Sequence, residues 1–428
     1  MSDRDSGARR VGLLSAAALV IGNMIGAGVF TTSGFAIADL GRREWVLLAW
    51  LVGGLLAMCG ALSYGALARR IPESGGEYTF LSQTIHPLAG FVAGWISLLA
   101  GFTAPIAAAA LGLQAYLVGS GGDGPRPEWI GTAAILAVGL MHGLRLREGV
   151  VFQNLAVGLK LLAIAVLVAF AVGRLPAPDL EPSDPGSFEL GAFAVTLVWI
   201  SFAYSGWNAT VYVAGKVRDP DRNLHRSLVL ATLLVTLVYL ALNTVFLYGA
   251  PVSALAGKAE VGAIAAEAIG GLGLRQAVSV LVALALFTSI SAMVMAGPRV
   301  YARMAEDGLF PRIFGGGRDV PGTAVALQVG LAVLVLWYSD LARLLGYIGF
   351  TLGLSAAATV AGLIAIRLRE GPERVPIPGY PWIPGLFVLV TLGTAGFMIL
   401  RQPGEAVAGL LTVAVGALLY FAIPARRS

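Results

Sequence analysis

Three glycines and an asparagine interrupt the first apolar run of the chain, which extends from Val11 to about Ala38. Glycine costs about 1 kcal/mol relative to alanine in a helix interior, so Gly22, Gly26 and Gly28 make local unwinding cheap. Inside a bilayer, unwound backbone is tolerated only where protein buries it or where it lines a wet cavity. The stretch therefore predicts a binding site in a broken helix. A continuous helix that uses small residues for close packing is the alternative.

The sixth apolar run is interrupted by Ser201-Phe-Ala-Tyr-Ser-Gly-Trp-Asn-Ala-Thr210. Tryptophan in membrane proteins usually anchors the interface, and Trp207 lies too deep in the run for that role. We therefore expect Phe202 and Trp207 to line or gate a site, with aromatic packing against the tenth span as the alternative. Asn208 is a polar side chain inside the membrane and needs a partner, which is either substrate or a neighbouring helix.

Two helix breaks at the middle of a membrane can hold a zwitterion by main chain alone. A half-helix that starts there presents unpaired N–H groups and the positive end of its dipole, which suit a carboxylate. A half-helix that ends there presents carbonyls, which suit an ammonium group. The expected N–H donors are Ile25, Gly26, Ala27 and Gly28, and the expected carbonyls are those of Phe202 to Ser205. The candidate substrate-binding residues are Asn23, Met24, Ile25, Gly26, Ala27, Gly28, Phe202, Ala203, Tyr204, Ser205, Gly206, Trp207 and Asn208. Neither break contains Asp or Glu, so we expect a substrate with an uncharged side chain.

Lys160 lies near the middle of the fifth apolar run. A cation at that depth costs about 2.5–3.5 kcal/mol on insertion scales and needs a partner or a wet cavity. We expect its ammonium group to bond carbonyls of the first break and hydroxyls of the eighth span, such as Ser289 or Ser291. There it could also bind and release a proton. Snorkelling to the membrane surface is the alternative, although the midpoint is far for one side chain.

The sequence offers few residues for metal binding, proton relay or catalysis. The single cysteine, Cys59, lies inside the second apolar run, and His86, His142 and His225 sit at a span start, a span end and a loop, so neither a metal centre nor a histidine relay is expected. The sequence has no phosphate-binding loop and no catalytic pairing in the spans. We therefore expect no cofactor, no metal and no enzymatic activity.

The composition is that of an integral membrane protein, with 57% hydrophobic residues, 12% charged residues and a mean hydropathy of +0.81. With the N-terminus in the cytoplasm, roughly 20 Lys and Arg fall on cytoplasmic segments and roughly 8 on external ones, as the positive-inside rule expects. The formal charge of +5 therefore reflects topology rather than a nucleic-acid partner. Both termini are expected on the cytoplasmic side of a plasma or inner membrane.

A bilayer span needs about 20 apolar residues, so one transmembrane domain over 1–428 has room for about a dozen spans. The predicted spans are 11–38, 45–68, 87–118, 129–144, 150–173, 190–214, 227–248, 276–304, 323–338, 341–367, 383–400 and 406–423. An interrupted span opens each group of five, which is typical of inverted repeats whose broken helices meet at the midplane. The predicted fold is all-α, with repeats over 11–173 and 190–367, discontinuous helices 1 and 6, and two further helices over 382–424. The polar segment 71–80 is expected to skirt the inner membrane face.

Three segments together resemble the amino acid–polyamine–organocation (APC) transporters over essentially the whole chain. Gly22-Asn-Met-Ile-Gly-Ala-Gly-Val-Phe30 is similar to their first-helix motif, although Ala27 stands where serine is frequent. Pro72-Glu-Ser-Gly-Gly-Glu-Tyr78 is similar to their segment between spans 2 and 3, and 296–311 to their segment after span 8. The resemblance implies a LeuT-like five-plus-five fold.

Phe202-Ala-Tyr-Ser-Gly-Trp-Asn208 most resembles the L-type amino acid transporter branch of this family. That resemblance implies Phe202 as an outer gate, Trp207 and Asn208 near the pocket, and Lys160 in the place where related transporters hold sodium. It also implies sodium-independent transport of neutral L-amino acids, frequently by exchange, although proton symport stays open. Because Cys59 lies inside a span, no covalent heavy-chain partner is expected, and the chain would act as a monomer or homodimer in the lipid bilayer. The alternatives are a carrier of polyamines or cationic amino acids, and an amino-acid sensor without transport.

Overall fold

A computed structural model describes residues 11–119, 128–143, 150–175, 188–315 and 322–422. Apart from one isolated bridge between Val11 and Val217, the regular structure of these residues is helical. In chain order the helices are α1 (Leu13–Met24), α2 (Ala27–Leu40), α3 (Arg43–Arg70), α4 (Glu77–Thr84), α5 (Pro87–Ile96), α6 (Ala104–Val118), α7 (Glu128–Gly143), α8 (Val150–Val172), α9 (Leu190–Tyr204), α10 (Pro220–Tyr248), α11 (Val252–Leu255), α12 (Val261–Glu306), α13 (Gly322–Tyr338), α14 (Leu341–Glu370), α15 (Trp382–Arg401) and α16 (Pro403–Ala422). A π-helical turn, Ser97–Thr103, joins α5 to α6, and 3₁₀ segments occupy Ala209–Lys216 and Arg312–Phe314.

Many of these helices suit a lipid environment. Nine helical stretches of the described chain are long and apolar enough to cross a bilayer, and two shorter apolar helices accompany them. Large apolar side chains cover their outer faces; Leu159 and Leu418, for example, are 64% and 71% exposed. Such a surface is stable only against hydrocarbon, so the chain is a multi-pass membrane protein.

The first and sixth apolar runs are each two helical pieces. α1 ends at Met24, Gly26 adopts an extended conformation, and α2 starts at Ala27. α9 ends at Tyr204, and the 3₁₀ segment begins only at Ala209. Gly206 between them has φ +95°, a left-handed conformation that residues with a Cβ rarely adopt, so this turn needs a glycine.

Two helices begin earlier in the chain than the membrane spans predicted from the sequence. The eighth span was expected from residue 276, but α12 begins at Val261 and bends at Gly270 and Gly271 before the membrane-crossing part. The seventh was expected from residue 227, but α10 starts at Pro220, because proline is favoured in the first turn of a helix. Both extensions are too polar or too rich in glycine to read as membrane spans.

Small residues bring the two broken runs into contact. A Cβ on Gly28 would lie 2.3 Å from Cα of Ala203, so α2 crosses α9 at backbone distance. A Cβ on Gly206 would lie 2.9 Å from the main chain of Asn23, so the two breaks also touch. These contacts fix the position of one break relative to the other.

The segment between α3 and α4 also approaches the second break closely. Gly75 and Gly76 have φ values of +133° and +60°, and a Cβ on Gly76 would meet the ring of Tyr212 at 2.3 Å. The hydroxyl of Ser74 accepts a hydrogen bond of 3.1 Å from the main-chain N–H of Gly215. This part of the polar segment 71–80 therefore packs on the protein interior rather than only along the membrane face.

Candidate functional site

A cavity of about 940 Å³ lies between the two breaks. Its wall includes side chains or backbone from α1, α2, α9, α12 and α14 and from the polar segment after α3. Of the predicted binding residues, the wall includes Asn23, Met24, Gly26, Ala27, Gly28, Phe202, Ala203, Tyr204, Ser205, Gly206, Trp207 and Asn208. Ile25, by contrast, is fully buried behind this wall. The structure thus brings nearly all of the predicted residues to one cavity.

The first break offers fewer main-chain donors than expected. The N–H of Ile25 donates to the carbonyl of Ile21 at 3.0 Å, and the N–H of Gly26 donates to the carbonyl of Met24 at 2.8 Å, so both are already used. Ala27 and Gly28 occupy the first two positions of α2, where an N–H has no partner within the helix, and no side chain caps this end. These two N–H groups lie at the positive end of the α2 dipole, which is the kind of position that suits an anion.

The second break presents carbonyls, two of which already accept hydrogen bonds. The carbonyl of Phe202 accepts from the N–H of Ser205 at 2.8 Å. The hydroxyl of Tyr239 on α10 lies 2.9 Å from the carbonyl of Ala203 and also bonds the carbonyl of Met24 in the first break. Tyr239 therefore links the two breaks through one hydroxyl group, a connection that the sequence did not suggest.

Lys160 contacts the first break from behind the cavity wall. Its ammonium group donates to the carbonyl of Ile25 at 2.9 Å, so the expected contact with a carbonyl of this break is present. The carbonyl lies where α1 ends and lacks a full set of helical bonds. A fixed ammonium group at this point occupies a carbonyl that would otherwise suit a cation.

The expected hydroxyl partners of Lys160 on α12 are not observed. Within the described part of the chain, Ser291 shares a hydrogen bond of 2.8 Å with the Nε2 atom of His142 instead. Ser289 donates to the carbonyl of Ala285 one turn earlier, and it borders the cavity beside Gly26. Ser291 thus bonds α7 rather than Lys160 in this structure, because its position on the long helix α12 directs the hydroxyl towards α7.

Phe202 and Trp207, the aromatic residues expected to line or gate the site, both border the cavity. Phe202 is 6% exposed and borders the cavity. Trp207 also borders it, and its ring packs edge-on against Tyr64 of α3 at 4.6 Å and against Phe387 of α15 at 6.3 Å between centroids. Among the described residues, the aromatic rings that pack against Trp207 are therefore on α3 and α15, whereas the alternative expected them on the tenth predicted span.

Asn208 bonds an acidic residue that the sequence analysis had placed outside the site. Its amide donates to the Oε1 atom of Glu77, at the start of α4. The same carboxylate accepts hydrogen bonds from the hydroxyl of Tyr64 at 3.1 Å and from the hydroxyl of Tyr212 at 2.5 Å. Glu77 is 6% exposed and borders the cavity. Gly75 and Gly76, which precede Glu77, are the sequence feature that could have indicated this contact, since they permit the close approach to Tyr212.

The cavity opens towards one end of the helix bundle, which we call the Val11 end. Its wall there includes Val11 at the start of α1, Ser74 and Arg303 near the end of α12. Beside it, the hydroxyl of Tyr78 donates to Asp307 at 2.8 Å, and burial together with this bond raises the pKa of Tyr78.

On the other side of the breaks, helices approach one another at backbone distance. A Cβ on Gly34 would lie 1.7 Å from the carbonyl oxygen of Lys258, and one on Gly349 would lie 2.1 Å from that of Val198. These contacts hold the helices together on the side of the two breaks away from Val11.

A multi-pass helical protein with two broken helices around a cavity open at one end has the architecture of a membrane transporter. The profile of the family described as amino acid permease matches residues 11–423. The chain therefore belongs to the amino acid permease family, within the APC superfamily.

Similar proteins cover nearly the same length. The large neutral amino acids transporter small subunit 2 of Homo sapiens is 27% identical over 431 residues, which are 96% of this chain and 80% of that protein. The serine/threonine exchanger SteT of Bacillus subtilis (strain 168) is 26% identical over 442 residues, 100% of each chain. The Asc-type amino acid transporter 1 of Mus musculus is 24% identical over 436 residues, 98% of this chain and 82% of that protein. The family and these relatives make amino acid transport the activity class of the chain.

Proposed function

We propose that this protein is a sodium-independent secondary transporter of neutral L-amino acids that works by alternating access. The observation that carries the proposal is the meeting of the two breaks at one cavity, with the free N–H groups of Ala27 and Gly28 on one side. These N–H groups would bind the substrate carboxylate, and carbonyls of the second break, such as those of Tyr204 and Ser205, would bind its ammonium group.

Sodium independence is supported by Lys160. Its ammonium group, bound to the carbonyl of Ile25, supplies a fixed positive charge at the end of α1. A sodium ion bound to the same carbonyl would be repelled by this charge at close range. We therefore propose that Lys160 takes the place of a coupling ion, and that Ser289 borders the same region.

We also propose twelve spans in two inverted repeats, 11–173 and 190–367, followed by two helices over 382–424. The order of the helices supports this arrangement, because the broken runs are the first and the sixth. The distribution of Lys and Arg supports a cytoplasmic Val11 end. In that orientation the cavity would face the cytoplasm.

A cationic substrate is the second candidate, and one observation favours it. Neither break contains an acidic residue, but Glu77 brings a carboxylate to the cavity wall from outside the breaks. One observation speaks against a cationic substrate: both carboxylate oxygens of Glu77 already accept hydrogen bonds from protein groups. The alternative outside the transporters is a membrane sensor that binds an amino acid without moving it across the membrane.

The test is uptake of labelled neutral and cationic amino acids into proteoliposomes without sodium. The vesicles are either empty or preloaded with unlabelled amino acid, and the pH gradient is varied. Uptake of neutral amino acids that is unaffected by added sodium supports the proposal. Uptake only into preloaded vesicles identifies an exchanger, and uptake into empty vesicles that grows with an inward proton gradient identifies a symporter. Binding without uptake would identify a sensor, and preference for cationic amino acids would favour the second candidate.

A further inference from the structure

Glu77 is a buried carboxyl group that the proposed binding of a neutral amino acid does not use. It forms no ion pair within the described parts of the chain. A carboxylate taken out of water without a counter-ion is costly unless hydrogen bonds compensate it. Here the compensation comes from neutral donors only: Tyr64 on α3, Asn208 in the second break and Tyr212 in the 3₁₀ segment.

The three donors match an ionised carboxylate. Oε1 accepts from Tyr64 and Asn208, and Oε2 accepts from Tyr212. Hydrogen bonds to an ionised group are roughly twice as strong as those between neutral groups. A protonated carboxyl group has a hydrogen of its own to donate and fewer lone pairs to offer, so it cannot hold all three donors equally well.

This cluster joins two sets of helices. Glu77 begins α4, which packs against α5 and α14. Asn208 and Tyr212 belong to the second break and its 3₁₀ segment, which packs against α1 and α10. The cluster lies on the wall of the cavity near its open end. A separation of the second break from α4 would therefore break the bonds of Asn208 and Tyr212 to Glu77.

We propose that Glu77 is a proton-binding site that couples proton movement to transport, an inference that rests on the proposed function. In the arrangement seen here the three donors favour the carboxylate form and hold the second break against α4. When the break moves away to close the Val11 end, the carboxylate loses Asn208 and Tyr212 and takes up one proton to form the neutral acid. Return to the present arrangement releases that proton into the cavity. One proton therefore accompanies each conformational cycle.

The test compares Glu77→Gln with a matched control in proteoliposomes. Glutamine keeps the shape of the side chain but cannot bind or release the proton. Glu73→Gln is the control, because Glu73 is an exposed acid four residues earlier in the same segment, bonded to Gln83. The readout is the ratio of uptake driven by an inward proton gradient to exchange at equal pH, which does not depend on the amount of active protein.

In the unaltered protein and in Glu73→Gln, we expect this ratio to rise with the gradient. In Glu77→Gln we expect it to stay constant at every gradient, whatever the absolute rate. A gradient response in Glu77→Gln equal to that of the unaltered protein would overturn the proposal. If the unaltered protein exchanges neutral amino acids but never responds to the gradient, the Glu77 proposal is wrong and the proposed function stands. If it neither takes up nor exchanges neutral amino acids, the proposed function itself fails.

Tyr212→Phe gives a second readout that does not alter the carboxyl group. Removing one donor to the ionised form should make proton release require a higher pH. The pH of half-maximal driven uptake should therefore rise relative to that of the unaltered protein. An unchanged pH profile in a folded Tyr212→Phe protein would overturn the proposal even if Glu77→Gln cannot be purified.

Discussion

The contact between Gly28 and Ala203 should control how closely the two broken helices pack at the cavity wall. In Gly28→Ala the added Cβ would lie 2.3 Å from Cα, 2.5 Å from Cβ and 3.0 Å from N of Ala203. Carbon atoms in contact are normally 3.5–4.0 Å apart, so α2 and α9 would have to separate by more than about 1 Å. Overpacking of this kind costs about 1–3 kcal/mol.

This cost applies mainly to the arrangement seen here, in which α2 and α9 touch. A difference of about 1–3 kcal/mol between two conformations shifts their populations by roughly 5- to 150-fold. We therefore expect Gly28→Ala to reduce the exchange rate in proteoliposomes by a factor in this range. Gly330→Ala on α13 is the control, because a Cβ there meets nothing within 4 Å, and we expect it to exchange normally.

The exchange assay should be paired with the thermal unfolding midpoint in detergent. A folded Gly28→Ala protein with slowed exchange would agree with a changed balance between conformations. If Gly28→Ala matched both the exchange rate and the unfolding midpoint of the unaltered protein, α2 and α9 would not meet at backbone distance, and the reasoning would be refuted.

Two further substitutions test the contacts behind the cavity. Lys160→Ala removes the charged donor to the carbonyl of Ile25, a bond that contributes about 1.5–3 kcal/mol, so we expect transport to fall by roughly tenfold or more, or to lose its coupling, in a folded protein. Leu159→Ala, which changes an exposed side chain next to Lys160, is the control. Full activity of Lys160→Ala at every pH would contradict a role of Lys160 in transport. Tyr239→Phe removes the hydroxyl that bonds the buried carbonyl of Ala203 and one of the two donors to the carbonyl of Met24, at a cost of about 1–3 kcal/mol. We expect slower exchange and a lower unfolding midpoint; unchanged values of both would show that the hydroxyl does not link the breaks.

Features that depend on neighbouring residues in the chain could be predicted from the sequence. Glycines 22, 26 and 28 indicated where the first run unwinds, and the helix ends lie at Met24 and Ala27. The family could also be predicted, because its motifs are local segments. The sequence could not show that the N–H groups of Ile25 and Gly26 are unavailable to a substrate. Whether they bond carbonyls of the chain itself depends on how tightly the chain turns between α1 and α2.

Features that depend on the relative positions of helices were missed. Glu77 follows a polar turn and reads as a surface residue, and only the packing of Gly76 on Tyr212 carries it to the second break. Ser291 and Ser289 are two residues apart on one helix, so their faces differ by about 200° and only the arrangement of neighbouring helices decides which one approaches the cavity.

The central claim is that the two breaks bind the substrate through its carboxylate and ammonium groups. The most direct test is competition against uptake of a labelled neutral amino acid by three unlabelled compounds: the same amino acid, its amide and its N-acetyl derivative. The amide lacks the charge that the N–H groups of Ala27 and Gly28 would bind, and the N-acetyl derivative lacks the ammonium group. The account predicts that only the unmodified amino acid competes. Equal competition by the amide or the N-acetyl derivative would contradict it.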